Sequence, residues 1–211
     1  MNWVAGTRRV WRWAKVADRC VDACVRRKTA ETEIEVHLAL RRPGEVRVET
    51  GIPMFDHLIS TFGFHGGFEL DISCRAGTFF SQHHIVEDTG IALGRALSEL
   101  IGDGAGIRRF GWAAVPMDDA LVLASADLCG RVGFRSDLPL RGAVTDGFEC
   151  GLAVEFFKAL CANGRLVIHL KYFWGDDSHH VLEAAFKAAA LAISSALEKG
   201  ADRVPSVKGE L

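Results

Sequence analysis

Two copies of one motif restrict what this chain can fold into. His83-His84-Ile85-Val86-Glu87 returns as His179-His180-Val181-Leu182-Glu183, and the elements around each copy follow the same order. Ahead of the first copy come apolar residues at helical spacing (Phe55, Leu58, Ile59 and Phe62), a Gly66-Gly67 break, and the alternating Phe68, Leu70 and Ile72. Ahead of the second come a helical pattern from Leu152 to Leu160 and the alternating Leu166, Ile168 and Leu170. A period near 3.6 marks a helix and a period of 2 marks a half-buried strand. Each motif then opens a further helix, one covering Val86 to Leu100 and the other His180 to Leu197. Nearer the N-terminus, Ile34, Val36, Leu38 and Leu40 alternate as a strand. Arg42-Pro43-Gly44-Glu45 reads as a turn into a returning strand begun by Val46 and Val48. In the second half, Leu121 to Leu128 and Arg131 to Phe134 read as strands. The repeat predicts an α+β fold of two similar halves, 25–112 and 113–205. Each half is expected to be a small antiparallel-type sheet with two helices on one face. The two should pack as a single two-layer, sandwich-like domain.

Composition narrows the classes of partner. The 211 residues are 49% hydrophobic and carry a formal net charge of −2, which supports a sizeable core and supplies no broad basic face for nucleic acid. No apolar run reaches the roughly 18–20 residues that span a bilayer, and the N-terminus lacks a secretory pattern. Residues 1–22 hold Trp3, Trp11 and Trp13 among Arg8, Arg9, Arg12 and Lys15. They read as a poorly ordered extension. The six cysteines are scattered, without Cys-x-x-Cys spacing, and read as reduced thiols of a cytoplasmic protein.

The motif pair carries chemistry. His83 and Glu87, and likewise His179 and Glu183, stand four residues apart on one helix face, where imidazole and carboxylate can grip one divalent ion. His84 and His180 point about a quarter-turn away and would reach a different ion, which suggests two metals. The donor types leave Mn²⁺, Fe²⁺, Zn²⁺ and Co²⁺ open. His57 and Glu155 precede their His-His pairs by similar distances and are candidate additional ligands. Arg109, Arg131, Lys187, Ser206 and Lys208 together would suit a phosphate.

The ordered segments resemble the imidazoleglycerol-phosphate dehydratase family of histidine biosynthesis. They are Arg27-Lys-Thr-Ala-Glu-Thr32, Thr50-Gly-Ile-Pro-Met-Phe-Asp-His57, His65-Gly66, His83-His-Ile-Val-Glu-Asp88, Gly106-Ile-Arg-Arg-Phe-Gly111, Pro116-Met-Asp118, Asp127-Leu-Cys-Gly-Arg131, His179-His-Val-Leu-Glu183, Phe186-Lys187 and Pro205-Ser-Val-Lys-Gly209. The resemblance implies dehydration of imidazole glycerol phosphate to imidazole acetol phosphate with two Mn²⁺ ions per site. It implies His57, His83, His84, Glu87, His179, His180 and Glu183 as metal ligands, Glu87 and Glu183 at the catalytic centre, and Glu31 as the base. It places Arg109, Arg131, Lys187, Ser206 and Lys208 on the phosphate and His65 beside the substrate. A 24-subunit homo-oligomeric shell with shared metal sites is implied too.

Four positions depart from the family pattern. Glu155 stands where a ligand histidine is expected, Ser81 replaces an aspartate, Asp177 an asparagine and Cys129 a serine. A carboxylate at 155 can still bind Mn²⁺. These changes surround the metals and leave the phosphate positions intact. The competing expectations are a divergent lyase on another phosphorylated substrate and a non-catalytic metal-binding shell protein.

Overall fold

The computed structural model describes residues 15–16, 19–20, 22–40, 44–77, 81–201 and 203–206. The first half contains β1 (Asp22–Lys28), β2 (Thr32–Ala39), β3 (Val46–Glu49), α1 (Pro53–Gly66), β4 (Glu69–Ala76) and α2 (Gln82–Ile101). The second contains β5 (Phe110–Met117), β6 (Ala120–Asp127), β7 (Gly133–Ser136), α3 (Leu152–Gly164), β8 (Val167–Trp174) and α4 (Ser178–Leu197). Two-residue pairings at Lys15–Val16 with Arg19–Cys20, and at Val144–Thr145 with Phe148–Glu149, lie outside this scheme. The second half begins with β5, so the boundary expected at 112–113 falls inside that strand. The expected extension 1–22 lies largely outside the described residues.

The sheets have matching orders, β1-β2-β4-β3 and β5-β6-β8-β7. In each, the short edge strand runs parallel to its neighbour, as Val46↔Leu70 and Val48↔Ile72 show for β3 and β4. The return strand expected after the Arg42–Glu45 turn therefore takes another place. β3 does not pair with β2 but lies on the far side of β4. The cause is α1, because a strand-helix-strand crossover delivers its second strand parallel to the first. Two strands were not anticipated at all. β1 pairs with β2 from Asp22↔Ala39 to Lys28↔Glu33, and β5 pairs with β6 from Phe110↔Asp127 to Met117↔Ala120.

The halves meet helix to helix. α1 and α2 cover sheet one, α3 and α4 cover sheet two, and the contacts between halves run α1 to α4 and α2 to α3. Phe55, Phe62, Phe156, Phe157 and Phe186 are fully buried among these helices. The α2–α3 crossing is close because α2 offers Gly90 and Gly94. A Cβ at Gly90 would stand 2.6 Å from the Phe156 carbonyl oxygen, and one at Gly94 2.6 Å from that of Leu160. By length and composition α4 is the one described helix able to cross a membrane, but most of it is buried in this fold. A core helix meets the same test.

The open faces of the sheets differ. Sheet one shows charged side chains such as Arg26, Glu35, Arg47 and Asp71, several in surface ion pairs. Sheet two shows Phe110, Trp112 and Phe173, with Trp112 67% exposed.

Candidate metal centre

α1 and α4 build the central group. Asp56 in the first turn of α1 accepts a 2.8 Å hydrogen bond from the Thr50 backbone N–H and another from the Thr50 hydroxyl. This ties down the loop before Pro53 and fixes the turn that carries His57. At the start of α4, Asp177 is the N-cap and accepts from the His179 N–H at 2.8 Å. His57 Nε2 contacts Glu183 Oε1, and His179 Nε2 lies 3.4 Å from the same oxygen. One donor atom each from His57, His179 and Glu183 falls within 4.8 Å of the others. Two imidazole nitrogens and a carboxylate are a donor set that fits a divalent first-row ion.

Glu183 is buried, and that burial works against its charge. Lys187 Nζ at 2.6 Å and His57 outweigh it and hold the carboxyl down at about 2. Lys187 also reaches Met117 Sδ at 3.0 Å. His65, at the end of α1, is pushed below its ordinary value by burial and then by the positive charge of Lys187, against the pull of Glu183. His65 lines a surface cavity with Leu191, which stands one turn beyond Lys187 on α4.

The second histidine of each pair faces elsewhere. His180 Nδ1 lies 2.6 Å from Asp119 Oδ1, and His180 Nε2 lies 3.3 Å from Asp118 Oδ2. The bond to Asp119 raises the His180 value and is the main reason the Asp119 carboxyl falls to about 2. His84 Nδ1 lies 3.1 Å from Glu31 Oε2, within ion-pair distance but without hydrogen-bond alignment, so that buried nitrogen has no aligned partner. Glu31 sits in the β1–β2 turn, where its N–H donates to Thr29 Oγ1 at 3.1 Å and its carbonyl accepts from Gly77 at 2.7 Å. Asp88 braces this turn from α2. It accepts from Arg27 Nε at 2.7 Å and from the Thr32 hydroxyl.

The first motif is less assembled. His83 Nε2 is 3.5 Å from Glu87 Oε2, and Glu155 pairs with Lys158 at 2.8 Å. Among the described residues, the group of three compact enough for an ion is His57, His179 and Glu183, so Glu155 is not gathered with His83 and Glu87. Ser81 and Asp177, two of the departing positions, are the N-caps of α2 and α4. Ser81 Oγ accepts from the His84 N–H at 3.4 Å. Their side chains serve the helix starts that carry the histidines.

The phosphate candidates form two groups. Arg109 has φ 76° and grips Asp127 through Nε at 2.7 Å and Nη2 at 3.2 Å. Its Nη1 donates to the Pro205 carbonyl at 2.8 Å, beside Ser206. Arg131 approaches the same Asp127 at 3.8 Å. Lys187 belongs to the other group, near Met117 at the far end of β5. An eight-residue strand separates the groups by roughly 25 Å. Lys208 lies outside the described residues.

Comparison with known proteins settles the kinship. A family model described as imidazoleglycerol-phosphate dehydratase matches residues 50–193. The chain is 44% identical over 186 residues to the imidazoleglycerol-phosphate dehydratase of Desulforudis audaxviator, covering 88% of this chain and 95% of that one. It is 42% identical over 192 residues to the protein of that name from Methanopyrus kandleri, covering 90% and 96%. The chain belongs to the imidazoleglycerol-phosphate dehydratase family. Solved structures agree. The enzyme of Pyrococcus furiosus in complex with (S)-C348 superposes with a TM-score of 0.77 at 36% identity, over 88% of this chain and 99% of that one. The Staphylococcus aureus enzyme gives 0.76 at 29% identity, over 85% and 99%. The α+β fold of two halves expected from the repeat is thus the fold of imidazoleglycerol-phosphate dehydratases.

Asp119 and Asp88 contact the candidate site residues or the turn that carries them, and sequence reading did not single them out. Asp88 directly follows Glu87 within a motif, and an aspartate on the apolar side of an amphipathic helix signals a buried partner. Asp119 carried no such signal, because a turn aspartate is ordinary.

Proposed function

We propose that this protein dehydrates D-erythro-imidazole glycerol phosphate to imidazole acetol phosphate, a step of histidine biosynthesis. The observation that carries the reading is the gathering of His57, His179 and Glu183 from both halves, in a chain of this family. The reaction breaks the C–O bond on the carbon next to the ring and removes a proton from the following carbon. The hydroxyl leaves as water and the resulting enol becomes the ketone. Bound divalent ions, Mn²⁺ by the family pattern, would supply positive charge that eases loss of the ring N–H proton.

The chain's own residues do the rest. His57, His179 and Glu183 would hold one ion, and His83, His84, Glu87 and His180 would supply further ligands, with Glu155 joining them once it leaves its pair with Lys158, so that a complete site would have two. Glu31 is the base that takes the carbon-bound proton. Its place in a turn braced by Asp88 gives its carboxylate a defined position. Arg109, Arg131, Ser206 and Lys208 receive the phosphate with Lys187, and His65 lines the substrate side.

The separation of Lys187 from Arg109 supports a site shared between copies. A three-carbon phosphate ester is far shorter than the roughly 25 Å along β5. Lys187 of one copy and the arginines of another can meet on one phosphate where two copies adjoin. A homo-oligomer, by the family pattern a 24-subunit shell, follows from this reading.

The test is growth of a histidine auxotroph lacking the dehydratase, with the parent chain and with Glu87→Gln, together with direct assay of product formation. The parent restores growth and the variant does not. Soluble, metal-loaded parent protein that neither restores growth nor forms product would sink the proposal.

A further inference from the structure

The internal repeat extends beyond the His-His-x-x-Glu motifs to a carboxylate on a hairpin turn. In the first half the β1–β2 turn presents Glu31 to Nδ1 of His84. In the second half the β5–β6 turn presents Asp119 to Nδ1 of His180. The two contacts differ in quality. Glu31 lies 3.1 Å away and out of line, whereas Asp119 makes an aligned bond of 2.6 Å. Asp119 is also held by its second oxygen, which accepts the N–H groups of Asp176 at 2.6 Å and Asp177 at 3.2 Å. One side chain thus joins the β5–β6 turn, the loop before α4 and the imidazole.

We infer that Asp119 is a positioning residue that fixes the ring of His180 with its proton on Nδ1, leaving Nε2 to bind the metal. The inference rests on the reading of His180 as a ligand. Both ring nitrogens face a carboxylate, but Asp119 makes the hydrogen bond, 2.6 Å from Nδ1, while Asp118 Oδ2 stands at a looser 3.3 Å from Nε2. A carboxylate only accepts hydrogen bonds, so in the neutral ring the hydrogen goes to the nitrogen with the closer, bonded carboxylate. The remaining nitrogen keeps its lone pair. A carboxylate behind a metal-binding imidazole fixes tautomer and orientation in this way, and losing it weakens metal binding about 10–100-fold. The two backbone N–H groups make the device specific. They keep the carboxylate from rotating, so its other oxygen stays aimed at the ring.

Asp119→Asn separates this role from simple packing. An asparagine has one accepting oxygen and one donating NH₂. If the oxygen stays on the N–H groups of Asp176 and Asp177, the NH₂ faces His180 Nδ1 and selects the ring with its proton on Nε2. That ring presents no lone pair to a metal on Nε2. Asp119→Glu keeps a carboxylate and serves as the conservative variant.

The experiment uses the full chain with Asp119→Asn, Asp119→Glu and His180→Ala. Mn²⁺ is titrated by calorimetry, and the ring proton is located by long-range ¹H–¹⁵N spectra of histidine-labelled protein at mildly alkaline pH. Asp119→Asn should bind Mn²⁺ about 10–100-fold more weakly and move the His180 proton to Nε2. Asp119→Glu should stay within a few-fold of the parent and keep the proton on Nδ1. An Asp119→Asn protein with parental affinity, or with weakened affinity and the proton still on Nδ1, overturns the inference. If His180→Ala itself binds Mn²⁺ like the parent, it is the ligand assignment that fails, and the positioning role fails with it.

Discussion

Gly90→Ala tests the helix crossing on which the whole arrangement depends. The added Cβ would stand 2.6 Å from the Phe156 carbonyl oxygen and 2.9 Å from the Ala159 Cβ, closer than the 3.0 Å that real Cβ atoms respect. The first of these neighbours is backbone, so no side chain can swing aside. α2 and α3 must move apart by several tenths of an ångström. Overpacking of this kind costs about 1–3 kcal/mol. Alanine recovers about 0.5–1 kcal/mol of backbone entropy within a helix. The balance is a loss of up to about 2.5 kcal/mol, and about 1.2 kcal/mol at the middle of both ranges, which for a chain of this size lowers Tm by roughly 2–5 °C. The displacement also reaches function, because Gly90 lies one turn from Glu87 on the helix that carries His83 and His84. Product formation should fall along with Tm. Gly151→Ala is the control. Gly151 has φ −59° at the start of α3, and nothing lies within 4 Å of its would-be Cβ. That variant should melt at or slightly above the parent. Scanning calorimetry of both variants decides the matter. A Gly90→Ala protein that melts with or above the parent, beside a well-behaved Gly151→Ala, refutes the packing argument.

Asp88→Asn removes the charge facing Arg27 at 2.7 Å. Breaking a buried pair costs about 3–5 kcal/mol, and because Arg27 is about a quarter exposed, water should recover part of this, leaving about 2–3 kcal/mol. An unchanged urea midpoint would count against it. Burial pushes the Cys161 thiol up to about 12 from an ordinary 9. Between those values the unfolded chain releases its proton while the folded chain keeps it, so stability falls as pH rises, by up to about 1.4 kcal/mol per pH unit. Cys161→Ala should flatten the decline in urea midpoint above pH 9, and an equally steep decline would exclude Cys161 as a cause. Glu155→His gives up only a surface pair with Lys158 and should tighten Mn²⁺ binding. Unchanged affinity in calorimetry would remove position 155 from the ligand set.

Much of the fold was legible because each motif helix keeps a regular apolar face, as Val86, Leu93, Leu97 and Leu100 do on α2. The first strand of each sheet, β1 and β5, was not. In β5 the outward positions hold Phe110 and Trp112 while the inward positions hold Gly111 and Ala113, so hydrophobicity does not alternate. Gly111 is required there because its Cβ would stand 1.9 Å from the Ala192 carbonyl oxygen. β1 offers only Ala23 and Val25 as buried apolar positions between charged neighbours. The pairing of β3 with β4 escaped because the partner of a parallel strand lies beyond a helix in sequence. At the site, His57, His179 and Glu183 could be named in advance, since spacing and residue type carry the signal. Their union across α1 and α4 could not, because it depends on how the halves stack. Asp119 escaped because its role depends on two backbone N–H groups that belong to another loop.

The helix-to-helix seam has a consequence for ancestry. If α1 corresponds to α3 and α2 to α4, the contact of α1 with α4 is the same contact as that of α3 with α2. The seam therefore has the self-complementary form of an isologous interface, with each half meeting the other through the same surface. Two identical half-length chains related by a two-fold axis would produce it. A duplicated and fused gene then frees the copies to diverge, so that histidine at 57 and glutamate at 155 can occupy equivalent places without breaking the packing that holds them.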